Sequence, residues 1–304
     1  MYFGLNPRQC FEAASSAQTM LRTKTDVEGD IHKVADQGFE KIIPLIAIVR
    51  LGGSGQYDPP SKIFQINPDP DDKERSLAKC HVSITSWALR HLMDRIEDHK
   101  GERAFTLYHS VSRMPEAASL RGSLFEMQVL RYLDHLTIEK TFKIRRLTNS
   151  YPDETEWKYP GPTKHVDYEL STASGFIEQA VENKRAYHLV PSARNFTAVD
   201  SIIYDPNDTV LTCIQITTNT CHPIVVSGLR NIQRWLKSQS PFLRPLKTKP
   251  WRFLFVVPVS MESNFEPQTF KGDTNRGEWA GKVNQYVLGL REDTLFHISR
   301  NGES

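Results

Sequence analysis

The stretch AVDSIIYDPNDTVLTCIQITT, residues 198 to 218, decides the fold. Val199 to Tyr204 and Thr209 to Thr217 are rich in β-branched residues, and Asp205-Pro206-Asn207-Asp208 between them is a strong turn signal. The pattern predicts a β-hairpin. With those four residues as the loop, Tyr204 sits opposite Thr209 and Asp200 opposite Cys213. Gln215 is then the diagonal neighbour of Asp200 on one sheet face, about 7–8 Å away between backbones, and both side chains reach a common cation. A one-residue slip would send Gln215 to the other face. Aspartate is disfavoured in a β-branched strand, so Asp200 either caps or hydrogen-bonds locally, or is a ligand.

Upstream lies SLRGSLFEMQVLRYLDHL, residues 119 to 136. On a helix, Phe125, Val129, Leu130, Tyr132, Leu133 and Leu136 cover one arc, with Glu126 inside it. Arg121, Gln128, Arg131, Asp134 and His135 fall outside. A carboxylate on a packed face needs compensation, either a cation or a basic partner, unless it sits at the rim. Downstream, His222-Pro223 ends the third strand of this reading and caps a helix in which Val225, Leu229, Ile232 and Leu236 keep helical spacing. Arg230, Arg234 and Lys237 share another face, and from Arg230 to Arg252 there are seven basic residues, Lys247 and Lys249 among them, and no acidic one. Such a stripe suits a phosphate backbone; it also suits a solvated helix face. Trp251 to Val257 reads as a central apolar strand, and Trp279, Val283, Tyr286 and Leu290 predict a last helix.

The N-terminal part is less patterned. Residues 11 to 35 carry helical spacing, Ile42 to Leu51 reads as a buried strand before a Gly-rich turn at 52–55, and a helix is expected over residues 76–99. Residues 58–74 and 151–163 read as solvated connectors, with the domain junction near residues 100–118. The 304 residues are 39% hydrophobic with a net charge of +2, which excludes a disordered chain and a chain-wide polybasic binder. Four dispersed cysteines (Cys10, Cys80, Cys213, Cys221) fit neither a disulfide framework nor a structural zinc site and suit a reducing compartment. Cys213 reads as a small buried hydrophobe. No apolar run spans a bilayer and no signal peptide opens the chain, so an intracellular protein of cytoplasm or nucleus with no membrane partner is expected. His165, His188 and His222 show no zinc-helix spacing, and Ser123 and Ser227 no nucleophile elbow.

The order helix with Glu, strand with Asp, turn, strand with Gln-x-Thr, amphipathic helix and strand resembles the restriction-endonuclease-like PD-(D/E)xK core. More closely, it is similar to the nuclease-like module of Crinkler and retrotransposon-hot-spot proteins. The likeness is carried by Arg121-Gly-x-x-Phe-Glu126, Asn195-Phe-x-Ala-Val-Asp200 and Gln215-Ile-Thr217, with His222-Pro-Ile224, Gly228-Leu229 and Gln285-Tyr-Val-Leu-Gly-Leu290. It implies an α/β fold, a mixed sheet flanked by helices over 118–304. Before it, residues 1–115 are expected to form a smaller, mostly helical region similar to the tail of a P-loop ATPase module, so that the chain resembles the C-terminal part of a longer design.

The resemblance also implies Mg²⁺, or Mn²⁺, held by Glu126, Asp200, Gln215 and the backbone carbonyl of Ile216. Such a metal lowers the pKa of a bound water at a scissile phosphate. Thr217 stands where the family has its lysine, with Lys184 or Arg230 as the candidate substitutes, and neutral Gln215 weakens a hard-cation site. The expected activity is therefore Mg-dependent cleavage of DNA phosphodiesters, with Arg230, Arg234, Lys237, Lys247 and Lys249 on the backbone. The competing expectations are a silent nucleic-acid- or protein-binding module, effector-like, on the same scaffold, and a fragment that docks on an ATPase partner or paralogue.

Overall fold

The computed structural model describes residues 14–37, 63–68, 80–97, 102–148, 153–168, 175–191, 198–208, 210–239, 243–272 and 277–296. The chain divides into two compact units, Met1–Met127 with Asp293–Ser304, and Gln128–Glu292. The division falls inside a helix, downstream of the junction expected near 100–118.

The first unit contains α1 (Ala17–Gln37), a hairpin of β1 (Phe64–Pro68) and β2 (Cys80–Ile84), α2 (Ser86–Glu97), α3 (Glu102–Ser112) and the start of α4 (Ala118–Asp134). Val27, Ile31 and Ala35 on α1 recur at helical spacing and are buried, as are Ala88, Leu89, Leu92 and Met93 on α2. The Tyr108 ring packs, tilted, against both Phe125 and Phe296, ring centroids 6.4 and 5.0 Å away, which ties the C-terminal α7 (Glu292–Phe296) into this unit. Two expectations need correction. β1 interrupts the supposed connector over 58–74, and the helix expected over 76–99 begins only at Ser86, because Cys80–Ile84 pairs with β1. The Ile42–Leu51 strand and the glycines at 52–55 lie outside the described residues.

The second unit is a mixed α/β domain with one eight-stranded sheet. Its strand order is β4 (Asp153–Tyr159), β3 (Lys140–Arg146), β12 (Val283–Leu290), β10 (Trp251–Pro258), β8 (Thr212–Ile216), β7 (Ser201–Tyr204), β6 (Tyr187–Pro191) and β5 (Lys164–Tyr168). β6, β7 and β8 form an antiparallel meander, and β10 and β12 continue it in parallel. β8 reaches β10 through α6 (Val226–Gln239), the crossover a parallel pair requires. The central expectation for Trp251–Val257 holds: every residue of β10 is buried except Arg252.

The expected last helix is a strand. Val283–Leu290 pairs along its whole length with β10; its i, i+3, i+7 apolar spacing coincides with a helical period, but the β-branched and aromatic run packs on the sheet. Residues 151–163 likewise contain β4, antiparallel to β3, with Trp157 and Tyr159 buried among charged exposed neighbours.

Alternation along the strands defines two faces. Leu189, Ile202, Cys213, Phe253 and Phe255 share one face and one apolar cluster with Ile177 and Ala180 of α5 (Phe176–Asn183) and Leu229, Ile232 and Leu236 of α6. His188 lies next to Leu189 in β6 and therefore points to the opposite face. On α4, Gln128 is buried although the arc of apolar residues left it outside, and Asp134, also outside, meets the sheet through His188.

Candidate functional site

The hairpin forms with a longer loop than expected. Ser201 pairs with Ile214 and Ile202 with Cys213, two residues away from the expected register. A shift of two keeps every side chain on its face, so the geometric consequence survives. The amide of Gln215 donates to Asp200 Oδ2 at 2.6 Å, and the backbone N–H of Ile216 donates to the same oxygen at 2.6 Å. Turn chemistry explains the longer loop: Asp205 Oδ1 accepts from the Asn207 N–H at 2.8 Å, and Asp208 Oδ1 from the Val210 N–H at 3.0 Å. Asp200 thus bonds locally across the strands, one of the two readings open to it.

Of the expected ligand set, the second unit joins Asp200, Gln215 and Ile216 among its described residues, Ile216 through its N–H rather than its carbonyl. Glu126 sits on the first-unit stretch of α4, half-buried and already engaged. Thr217 is buried, and its hydroxyl accepts the Asn219 N–H at 3.0 Å. Lys184, expected as a substitute for the missing lysine, caps α5 in the left-handed conformation, φ 47°, three residues before Tyr187, which pairs with Tyr204 at the far end of β7 from Asp200. Arg230 is bound to Glu278 at 2.7 Å, and this guanidinium holds the Glu278 carboxyl below its usual range.

The cationic stripe is also interrupted. Arg252 contacts Asp208 at 3.2 Å and donates to Thr212 Oγ1 at 2.9 Å. Two of the seven basic residues are thus paired with acids supplied by remote segments. Arg234 is exposed and donates to Asn231 Oδ1 at 3.1 Å, and the Lys237 side chain lies outside the described residues. Lys247 lies inside, and Lys249 closes, a tight Leu246–Lys249 turn ahead of β10. Arg252 pairs with Thr212 and Phe255 with Gln215, so this turn lies at the opposite end of β8 from Gln215.

His222 does not cap α6. β9 (Ile224–Val225) intervenes, and the His222 N–H donates to Gln268 Oε1 at 2.6 Å. Gln268 also donates to the carbonyls of Thr220 (3.1 Å) and Glu266 (2.8 Å), while its backbone exchanges two hydrogen bonds of 2.8 Å with the Gln285 amide. These two glutamines fasten the segment after Gln215 to β12. Gln285 belonged to the quoted motif, but nothing in the sequence pointed to Gln268.

A second group went unrecognised. Asp134, at the end of α4, takes His188 Nδ1 on Oδ1 at 2.6 Å and His165 Nδ1 on Oδ2 at 2.8 Å. His165 and His188 are paired neighbours on β5 and β6, which puts both rings on one face. Burial pushes the Asp134 carboxyl up, but the two imidazoles outweigh it and bring the pKa down to about 2. The hydrogen bond to Asp134 raises the pKa of His165. This group could hold a metal ion. Gln215 shares its face with Cys213 and the α6 cluster, so the two groups lie on opposite faces of the sheet.

Among the described residues, no helix is long and apolar enough to cross a membrane. Comparison with protein-family models, curated proteins and solved structures returned no match.

Proposed function

We propose that the second unit is a restriction-endonuclease-like module that binds nucleic acid without lysine-assisted hydrolysis. One observation carries the reading: the Asp200 carboxylate, at the corner where this fold would hold its metal, is closed by the Gln215 amide and the Ile216 N–H. The meander with a helical crossover to a parallel strand supports the scaffold.

The donor set does not fit Mg²⁺. A hard cation takes oxygen ligands, whereas Gln215 presents its NH₂ to Asp200, the only orientation an acceptor-only carboxylate allows. Asp200 Oδ2 is already occupied by two donors, and Thr217 adds no positive charge. The exposed cations Arg234 and Lys247 supply the phosphate contacts.

Two measurements on the purified chain test this. Affinity for duplex DNA should fall several-fold between 50 and 200 mM salt, scaling with roughly 0.9 counterions per phosphate contact. Arg234→Gln with Lys247→Gln should weaken it further, and Asp200→Ala should bind like the wild type. Plasmid incubated with Mg²⁺ or Mn²⁺ should stay supercoiled. Metal-dependent nicking that Asp200→Ala abolishes would replace this reading with the nuclease one, and salt-independent binding would remove both.

A further inference from the structure

We propose that Asp134, His165 and His188 bind a divalent transition-metal ion of the zinc class, at a site separate from the Asp200 corner. The donors are two imidazole nitrogens and one carboxylate oxygen, the mixed N/O set that zinc accepts with a fourth position left to water. Neutral imidazole favours zinc and its neighbours over magnesium or calcium.

The positions are set by rigid elements. His165 and His188 stand side by side on parallel strands, and Asp134 reaches both from the last turn of α4. One ligand atom from each residue lies within 4.8 Å of the others. Ligands of a tetrahedral zinc at ~2.0–2.1 Å stand roughly 3.3 Å apart, so the widest pair closes by a small side-chain rotation.

Three further features fit a metal. His188 is 0% exposed, and among the described residues its Nε2 has no hydrogen-bond partner, so Asp134 is the polar partner of a buried ring whose second nitrogen is unpaired there. On the other histidine, His165 Nε2 faces Asp167 Oδ1 at 3.4 Å, the carboxylate–histidine arrangement that orients a metal-bound imidazole. Asp134 and His165 keep 24% and 40% of their side-chain surface, which gives an ion a way in. Without an ion, both Nδ1 atoms must carry protons toward one carboxylate. A dication bound at Nδ1 takes the place of those hydrogen bonds to Asp134, and each neutral ring then carries its one proton on Nε2 instead.

The test is titration of chelator-stripped protein with Zn²⁺, using Co²⁺ as the coloured reporter. One equivalent should bind per chain, with the visible spectrum of tetrahedral cobalt, and millimolar Mg²⁺ should not compete. His165→Ala and Asp134→Asn, each at a partly exposed position, should weaken Zn²⁺ at least tenfold while the far-ultraviolet circular dichroism is unchanged. His135→Ala, an exposed neighbour that contacts the Arg131 carbonyl instead, should bind normally. Absence of a saturable equivalent would overturn the proposal. So would equal affinity in wild type and whichever of the two variants folds, because the ten histidines of the chain would then be binding zinc adventitiously.

Discussion

Gly228 and Gly29 both lie inside helices, yet their environments predict opposite responses to the same substitution. A Cβ at 228 would stand 2.2 Å from the Cβ of Ala198 and 3.1 Å from its Cα and N, because α6 crosses the chain directly over the residues leading to Asp200. Gly228→Ala should therefore cost about 1–3 kcal/mol by overpacking. A Cβ at Gly29 on α1 would meet nothing within 4 Å among the described residues beyond its own helix, so Gly29→Ala should gain about 0.5–1 kcal/mol from helix propensity. Urea denaturation of the two variants reads both signs. Ala198 and Gly228, which the sequence places in separate stretches, are two sides of one close approach.

At the scale of elements, the β7–β8 hairpin and the amphipathic helix after it were legible because turn residues and apolar periods repeat locally, whereas β6, which completes the meander, was not. The β7–β8 register was not, since Asp208 and Val210 extend the turn past the four obvious residues. β12 was misread because four apolar residues fit a helical period by coincidence; only its pairing with β10 decides. The segment from Thr217 to Pro223 has no regular structure and depends on Gln268. This amide is buried and bonded at both ends, so Gln268→Leu removes the side-chain partner of the His222 N–H and of the Thr220 and Glu266 carbonyls. A loss of about 1–3 kcal/mol is expected for an unsatisfied buried group, with faster amide hydrogen exchange confined to residues 217–224.

Over the whole molecule, the 38 basic and 36 acidic residues almost cancel, and the structure shows the cancellation locally: remote acids meet Arg230 and Arg252. Neutralising Arg230 should therefore affect DNA affinity less than neutralising Arg234, a difference read directly by fluorescence anisotropy. The pH dependence of stability has a definite sign at His222. Burial lowers its pKa below 6.5, so the folded state binds fewer protons than the unfolded one. Its contribution is fully present above 6.5 and is lost as pH falls through that value toward the folded pKa. In chelator, His222→Gln should flatten the decline in unfolding free energy between pH 7.5 and 5.5 relative to wild type.

The sequence alone determined what local chemistry can determine: a β-branched hairpin, an amphipathic crossover helix, a buried central strand, and Asp200 and Gln215 on one face. Those follow from periods of 2 and 3.6 and from turn residues, which neighbouring positions encode. Tertiary structure decided which charges are already spent and which distant residues meet. Asp134 lies 31 residues from His165 and 54 from His188, on a helix and two strands, and no spacing rule connects them. They meet because parallel pairing sets the two histidines abreast and α4 ends above them, a coincidence of packing that a one-dimensional pattern does not contain.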